Sequence, residues 1–233
     1  MGRMRQNFFP GYDNDEFYHV FNHGVEDCLI TRDRLDSERF LILLELLNKK
    51  SVVGSVADAL DVLEPNVRDS LAVAGLKLHK KEDRLVEVVA YCLNPNHFHL
   101  LLKQVSDNGV PNFLQKLSMA YCKYINTKYH RKGTLFYGTY GRRHISTDEY
   151  LIHASAYINL NYKVHNIQGS NLNLVRSSWE EYTDNKSGIC DRDLVMASFS
   201  CPDEYREYAL SALETMRENK IDKQEMREIG IDL

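Results

Sequence analysis

The sequence contains no apolar run long enough to cross a bilayer. Its most apolar stretch of helical length, residues 40–47, is interrupted by Glu45, so no membrane-spanning helix is expected. The five cysteines, Cys28, Cys92, Cys122, Cys190 and Cys201, show no CxxC spacing. That argues against a zinc ribbon or a disulfide framework and predicts a reducing, cytoplasmic setting. Residues 1–15 lack the apolar stretch of a secretory signal. Low-complexity tracts are missing too, which excludes fibrous classes. What is there is ordinary: 43% apolar and 27% charged residues over 233 positions. That is enough for one generous globular domain, or for one domain with an extension.

A surplus of positive charge is also lacking, the net charge being −4, but the average conceals a patch. Residues 112–166 hold eight Lys and Arg against two acids, together with Tyr121, Tyr124, Tyr129, Phe136, Tyr137 and Tyr140. Cations meet phosphates and rings stack on unpaired bases, so the mixture suits a single-stranded nucleic acid. A solvated helix face followed by a tyrosine-rich core strand has the same signature. Residues 178–233 carry fourteen acids and seven bases. Such an acidic tail can cover a basic site, contact a partner or confer solubility.

The pattern of residues predicts a strand over 17–21 and a helix over 37–48, capped by Ser37, with Phe40, Leu43, Leu44 and Leu47 on one face. Residues 51–80 read as one or two short helices broken near Pro65. Two β-rich runs, 86–93 and 97–103, flank Asn94, Pro95 and Asn96 as a hairpin. Residues 113–129 read as a helix and 135–145 as a strand or extended loop. Residues 146–149 form a capping box that opens a helix to about Tyr162. Residues 166–173 read as a loop and 190–233 as mainly helical. Strands interleaved with helices predict an α+β sheet with helices on one face.

Two constellations can do chemistry. In a strand, His97 and His99 point to the same side while Phe98 points to the other, and two imidazoles so placed can hold one divalent metal. Two half-buried surface histidines would look the same. On the following helix, Tyr157 and Asn161 are one turn apart on one face. The phenol can serve as a nucleophile and the amide oxygen can complete a metal shell, although amphipathic helix filler has this spacing as well.

Taken in order, these pieces resemble the REP-associated tyrosine transposases of the single-tyrosine HUH family. The resemblance is carried by Asn94 to Leu102 with its His97-Phe98-His99, by Tyr157 to Asn161, by a first strand at residues 18–25, by the glycine–aromatic segment 133–140 and by a closing Ser-Ser-Trp-Glu-Glu-Tyr at 177–182. It covers roughly residues 16–183. Three features depart from the family pattern. Tyr162 stands where a proline usually follows the asparagine, Leu93-Asn94 replaces a methionine before Pro95, and residues 51–82 form a helical insertion.

The resemblance implies a ferredoxin-like antiparallel sheet over residues 1–183, with an acidic helical extension over 184–233. It implies a single-stranded DNA transposase that cleaves and rejoins DNA through a 5′-phosphotyrosine, at hairpins with single-stranded flanks such as repetitive extragenic palindromes. Tyr157 would be the nucleophile, and His97, His99 and Asn161 would hold Mg²⁺ or Mn²⁺. The candidate DNA contacts are Lys123, Lys128, Arg131, Lys132, Arg142 and Arg143. A monomer is expected over a dimer. Two other readings compete: a domesticated module that binds such DNA without cutting it, and another HUH enzyme such as a replication initiator or relaxase.

Overall fold

The protein is described by a computed structural model over residues 11–51 and 79–228, with side chains to residue 220. The short helices expected over 51–80, most of the expected insertion, and residues 1–10 fall outside the described residues.

Five antiparallel strands form one sheet: β1 (Phe17–His23), β2 (Val86–Leu93), β3 (His97–Gln104), β4 (Gly141–Ile145) and β5 (Arg176–Ser177), in the order β4-β1-β3-β2-β5. Helix α1 (Arg34–Leu46) lies between β1 and β2, and α2 (Gly109–Lys128) between β3 and β4. With β5 set aside, this is the βαββαβ order of a ferredoxin-like fold, as expected. The β2–β3 hairpin closes where Asn94 N–H donates to His97 O at 2.8 Å.

Strand alternation divides the sheet into two unlike faces. Phe98, 1% exposed, packs on Phe40 of α1 and on Phe136. Phe40 in turn meets the edge of Tyr121 from α2. These two helices form the expected layer on one side. On the other side lie His97 and His99, with Phe21 of β1 and Cys92 of β2 directly opposite His99. Helix α3 (Asp148–Asn159) crosses this second face.

Several helix ends differ from the sequence expectation by a few residues. Helix α1 is capped by Asp33, not Ser37, in a reciprocal capping box with Asp36. Ser37 lies inside the helix, where its hydroxyl donates to Leu174 O at 2.6 Å. Helix α3 is capped by Thr147, whose hydroxyl accepts from Tyr150 N–H at 3.2 Å, so the cap sits one residue beyond Ser146. The helix does not run unbroken to Tyr162. Leu160 leaves helical geometry, and one further turn, α4 (Asn161–Val164), follows.

The closing segment forms α5 (Trp179–Thr183), α6 (Asp193–Met196) and the long α7 (Pro202–Glu228). Val195, Tyr205, Ala209 and Met216 join the same apolar core as the sheet. The Tyr205 hydroxyl is buried between Ser155 Oγ at 3.1 Å and Asn159 Nδ2 at 2.8 Å. The acidic tail is therefore tied to the back of α3.

Lys128 has a structural task. Its ammonium donates to both oxygens of Asp33, to Asp36 Oδ1 at 2.7 Å and to the Tyr124 hydroxyl. The Tyr129 hydroxyl donates to Asp36 Oδ2 at 2.7 Å. Burial opposes ionisation of Asp33, but the hydrogen bonds from Lys128, the Asp36 backbone and Tyr129 outweigh it and hold the carboxyl below its ordinary 3.8. A lowered carboxylate stabilises the fold fully above 3.8, and the contribution is lost as pH falls through the lowered value. Lys128→Ala is expected to destabilise the fold by about 1–3 kcal/mol, because Asp36 is fully buried and loses a charged donor. Urea unfolding at pH 7 and at pH 3 checks this: the penalty shrinks at the lower pH, whereas exposed Lys123→Ala costs little at either.

Candidate active site

Register explains why histidines gather on the second face. Residues directly opposite in paired strands share a face. His23 lies opposite His97, Phe21 opposite His99, and His19 opposite Leu101. His19, Phe21 and His23 therefore line the face that carries His97 and His99. The β1–β4 register sets Arg143 opposite His19 and Gly141 opposite Phe21. A Cβ on Gly141 would lie 2.5 Å from the Phe21 ring, so this position needs glycine for the ring to lie flat on the sheet.

His99 is held by a second histidine. His19 Nε2 and His99 Nδ1 are 2.8 Å apart, so one of them carries the shared proton. Burial lowers His19 to about 4, with the Arg143 charge adding to it. Burial also holds His99 well below the ordinary imidazole value, helped by the charges of His19, His97 and His165. Both rings are thus neutral near pH 7. With His99 Nδ1–H donated to His19, the His99 Nε2 lone pair is free to bind a cation, and His19 fixes the tautomer.

His97 meets Asn161. Its Nδ1 lies 2.7 Å from Asn96 Oδ1, an acceptor, so the ring proton sits on Nδ1 and Nε2 keeps its lone pair. That Nε2 is 3.0 Å from Asn161 Oδ1, a second acceptor. The Asn94 amide bridges the two, its Nδ2 lying 2.7 Å from each. Asn161 is fully buried, and its own Nδ2 has no hydrogen-bond partner. A neutral ring nitrogen and an amide oxygen facing each other at this distance form a place that favours positive charge.

Tyr157 reaches the same spot from α3. Its ring meets His99 edge-on with centroids 5.8 Å apart and meets His19 at 6.0 Å. Burial raises the phenol above its ordinary value, while the nearby Asn161 side chain and the charge of Arg143 work the other way. The kink at Leu160 keeps Asn161 on the site and brings in His165, whose ring lies 4.4 Å from that of His97. The ring nitrogens of His97, His99 and His165 have members lying within 4.8 Å of one another. Burial, with the charges of His97 and Lys220, lowers His165 to about 3.

Residues 61–161 match the family model described as "Transposase IS200 like". No curated protein matches the chain. Among solved structures, the chain is similar to a REP-associated tyrosine transposase bound to a REP hairpin, at 11% identity and a TM-score of 0.41, covering 79% of this chain and 86% of that one. It is also similar to a candidate transposase from Deinococcus radiodurans, at 16% identity and a TM-score of 0.27, covering 73% of this chain and all of that one.

The matched segment contains His97, His99, Tyr157 and Asn161, and the fold brings all four together. His19 and His165 lie outside it and were not singled out as site residues from the sequence. Asn94 and Asn96, which the sequence places in the hairpin turn and in the motif of the resemblance, carry no predicted role at the site. The signal for His165 was its spacing, one turn beyond Asn161 and two beyond Tyr157. For His19 it was strand alternation with Phe21.

The expected DNA contacts divide. Arg143 is exposed on the histidine face, whereas Arg142 turns to the opposite face, its guanidinium 4.3 Å from the Tyr12 ring centre. Lys123 and Lys132 are exposed, and Arg131 donates to Asn126 Oδ1 at 3.3 Å. The Lys128 ammonium is engaged by Asp33 and Asp36. No helix of the described residues is long and apolar enough to cross a membrane.

Calorimetric titration with Mn²⁺ is expected to show one site at these histidines. His97→Ala should abolish it. His19→Phe should weaken it by about ten- to a hundredfold, since it removes the partner that orients His99. Wild-type affinity in His19→Phe would remove His19 from the site.

Proposed function

We propose that this protein is a REP-associated tyrosine transposase that cleaves and rejoins single-stranded DNA, with Tyr157 as the nucleophile. One observation carries the reading: a single kinked helix brings both Tyr157 and Asn161 onto the face that holds His97 and His99. The order of motifs along the chain and the family match over 61–161 support it.

The donor set fits a divalent cation. His97 Nε2 and Asn161 Oδ1 are 3.0 Å apart, close to the ~3 Å between neighbouring ligands of an octahedral ion with bonds of about 2.1 Å. His97, His99 and Asn161 would hold the ion, with His165 in reach as a further donor. The family resemblance implies Mg²⁺ or Mn²⁺, and of the two the mixed nitrogen and oxygen donors favour Mn²⁺. When bound, such an ion supplies Lewis-acid charge to a non-bridging phosphate oxygen.

The chain's own groups do the rest. Tyr157 Oη attacks phosphorus in line. The bond from phosphorus to the 3′ oxygen breaks, and that oxygen takes up a proton and leaves as a 3′ hydroxyl. The 5′ phosphate stays on Tyr157 as a phosphodiester, which keeps the bond energy for a second 3′ hydroxyl to reverse the step. Burial keeps the proton on Tyr157 near pH 7, so it leaves as the new bond forms. Arg143 and Asn161 ease that loss by favouring the phenolate.

Arg143, Lys123, Arg131 and Lys132 are the proposed phosphate contacts, on hairpin DNA with single-stranded flanks. Tyr157 packs on His99 within a single chain, so the site can assemble without a partner copy, and a monomer is the reading we adopt. The five free cysteines suit the cytoplasm.

Tyr157→Phe removes one hydroxyl and almost no volume. DNA affinity should be unchanged, while cleavage and the covalent protein–DNA adduct disappear. A denaturing gel with 3′-labelled hairpin DNA and Mn²⁺ reads both. An adduct that persists in the Phe variant places the nucleophile elsewhere, and tight binding by the wild type without any adduct favours the non-cleaving module.

A further inference from the structure

Most aromatic rings of the basic stretch are already occupied. Tyr121 and Phe136 are buried in the core. The hydroxyls of Tyr124 and Tyr129 bond to Asp36, and that of Tyr140 accepts from Tyr12 at 2.9 Å. Tyr137 differs, with 60% of its surface exposed. Its ring lies nearly parallel to that of His23, at 16° with centroids 5.0 Å apart.

The backbone holds this pair in place. Tyr137 N–H donates to His23 O at 2.9 Å, and Val25 N–H donates to Leu135 O at 2.9 Å. Between them Gly24 bridges to Phe136. A Cβ on Gly24 would lie 2.1 Å from Cys28 O, so only glycine allows the turn after β1 to fold this tightly. Phe136 anchors the loop in the core while Tyr137, the next residue, points out. Gly138 then turns the chain with a φ of 48°. His23 in turn lies opposite His97 across the β1–β3 pairing. The exposed ring is therefore fixed on the far side of His23, the residue paired with His97 of the proposed phosphate site.

We infer that Tyr137, backed by His23, is a stacking platform for an unpaired base next to the phosphate at His97 and His99. The inference rests on the DNA-cleaving reading and names how its single-stranded substrate is placed. An exposed ring stacks on a base only where that base is unpaired, and it does so with little regard to sequence. Here the ring is already ordered by His23 and by its backbone bonds, so binding need not pay to immobilise it. Such a platform would set which phosphate lies before Tyr157 by gripping its neighbour.

The test uses the full chain and a fluorescein-labelled DNA hairpin with oligothymidine flanks, beside the same hairpin with abasic flanks. Anisotropy titration gives affinity, and a denaturing gel with Mn²⁺ reads the Tyr157 adduct on the same DNA. Wild type should lose about five- to a hundredfold in affinity when the flank bases are removed. Tyr137→Ala should lose a similar factor on intact flanks and nothing further on abasic ones, while Tyr137→Trp keeps wild-type affinity. Equal binding of intact flanks by Tyr137→Ala and wild type would overturn the inference. So would an equal loss by Tyr137→Ala on both flanks. If wild type forms the adduct while Tyr137→Ala is indistinguishable in binding, the platform fails and the cleavage reading stands. If the flank dependence appears but no adduct forms, the platform stands and the cleavage reading fails.

Discussion

Two acceptor atoms, His97 Nε2 and Asn161 Oδ1, face each other across 3.0 Å in a buried setting, with only the Asn94 amide between them. Groups so arranged repel unless a hydrogen-bond donor or a cation lies between them, and here the Asn94 amide holds that place. The architecture around them sustains the arrangement. Strand pairing fixes the imidazole, Asn96 fixes its tautomer, and the break at Leu160 fixes the amide. The Phe98 side of β3 does equal service, because its burial against α1 and α2 prevents the strand from turning or slipping.

The electrostatics of the face follow from burial. Four imidazoles, His19, His97, His99 and His165, are crowded into one place, and desolvation holds all of them toward the neutral form. Neutral imidazoles are ligands, whereas charged ones are not. The cations near them, Arg143 from β4 and Lys220 from α7, reinforce this by opposing protonation of the rings. The same charges are suited to a phosphate. Helix α7 carries a surplus of acids overall, yet it presents Arg217 to Lys163 O at 3.0 Å and Lys220 toward His97 and His165. The acidic tail thus contributes positive charge near His97 and His165.

Much of this was legible in the sequence, for identifiable reasons. The β2–β3 hairpin was readable because its strands are β-rich and its turn holds Asn-Pro-Asn. The shared direction of His97 and His99 follows from strand alternation alone. Tyr157 and Asn161 stand at helical spacing in the sequence, but their roles come from the resemblance, and the break at Leu160 rather than an unbroken helix sets the amide on the site. What stayed hidden depended on contacts between distant segments. His19 matters only because β1 pairs with β3, 80 residues away. The tyrosines at 124 and 129 looked like base-stacking rings, and only the fold shows them bonded to Asp36. Lys128 looked like a surface cation for the same reason. A local pattern cannot distinguish a cation that meets solvent from one that meets a distant carboxylate. The one-residue error at the α3 cap is of another kind, since Ser146 and Thr147 can both cap and the Ser-x-x-Glu pattern points to Ser146.

The claim that His97, His99 and Asn161 form one metal site beneath Tyr157 is tested most directly by a crystal structure grown with Mn²⁺ and measured for anomalous scattering. The account predicts a single strong peak bonded to His97 Nε2, His99 Nε2 and Asn161 Oδ1, with the Asn94 amide moved aside and the Tyr157 hydroxyl facing the ion's open side. A peak elsewhere, or none on this face with the two imidazoles turned apart, would contradict it.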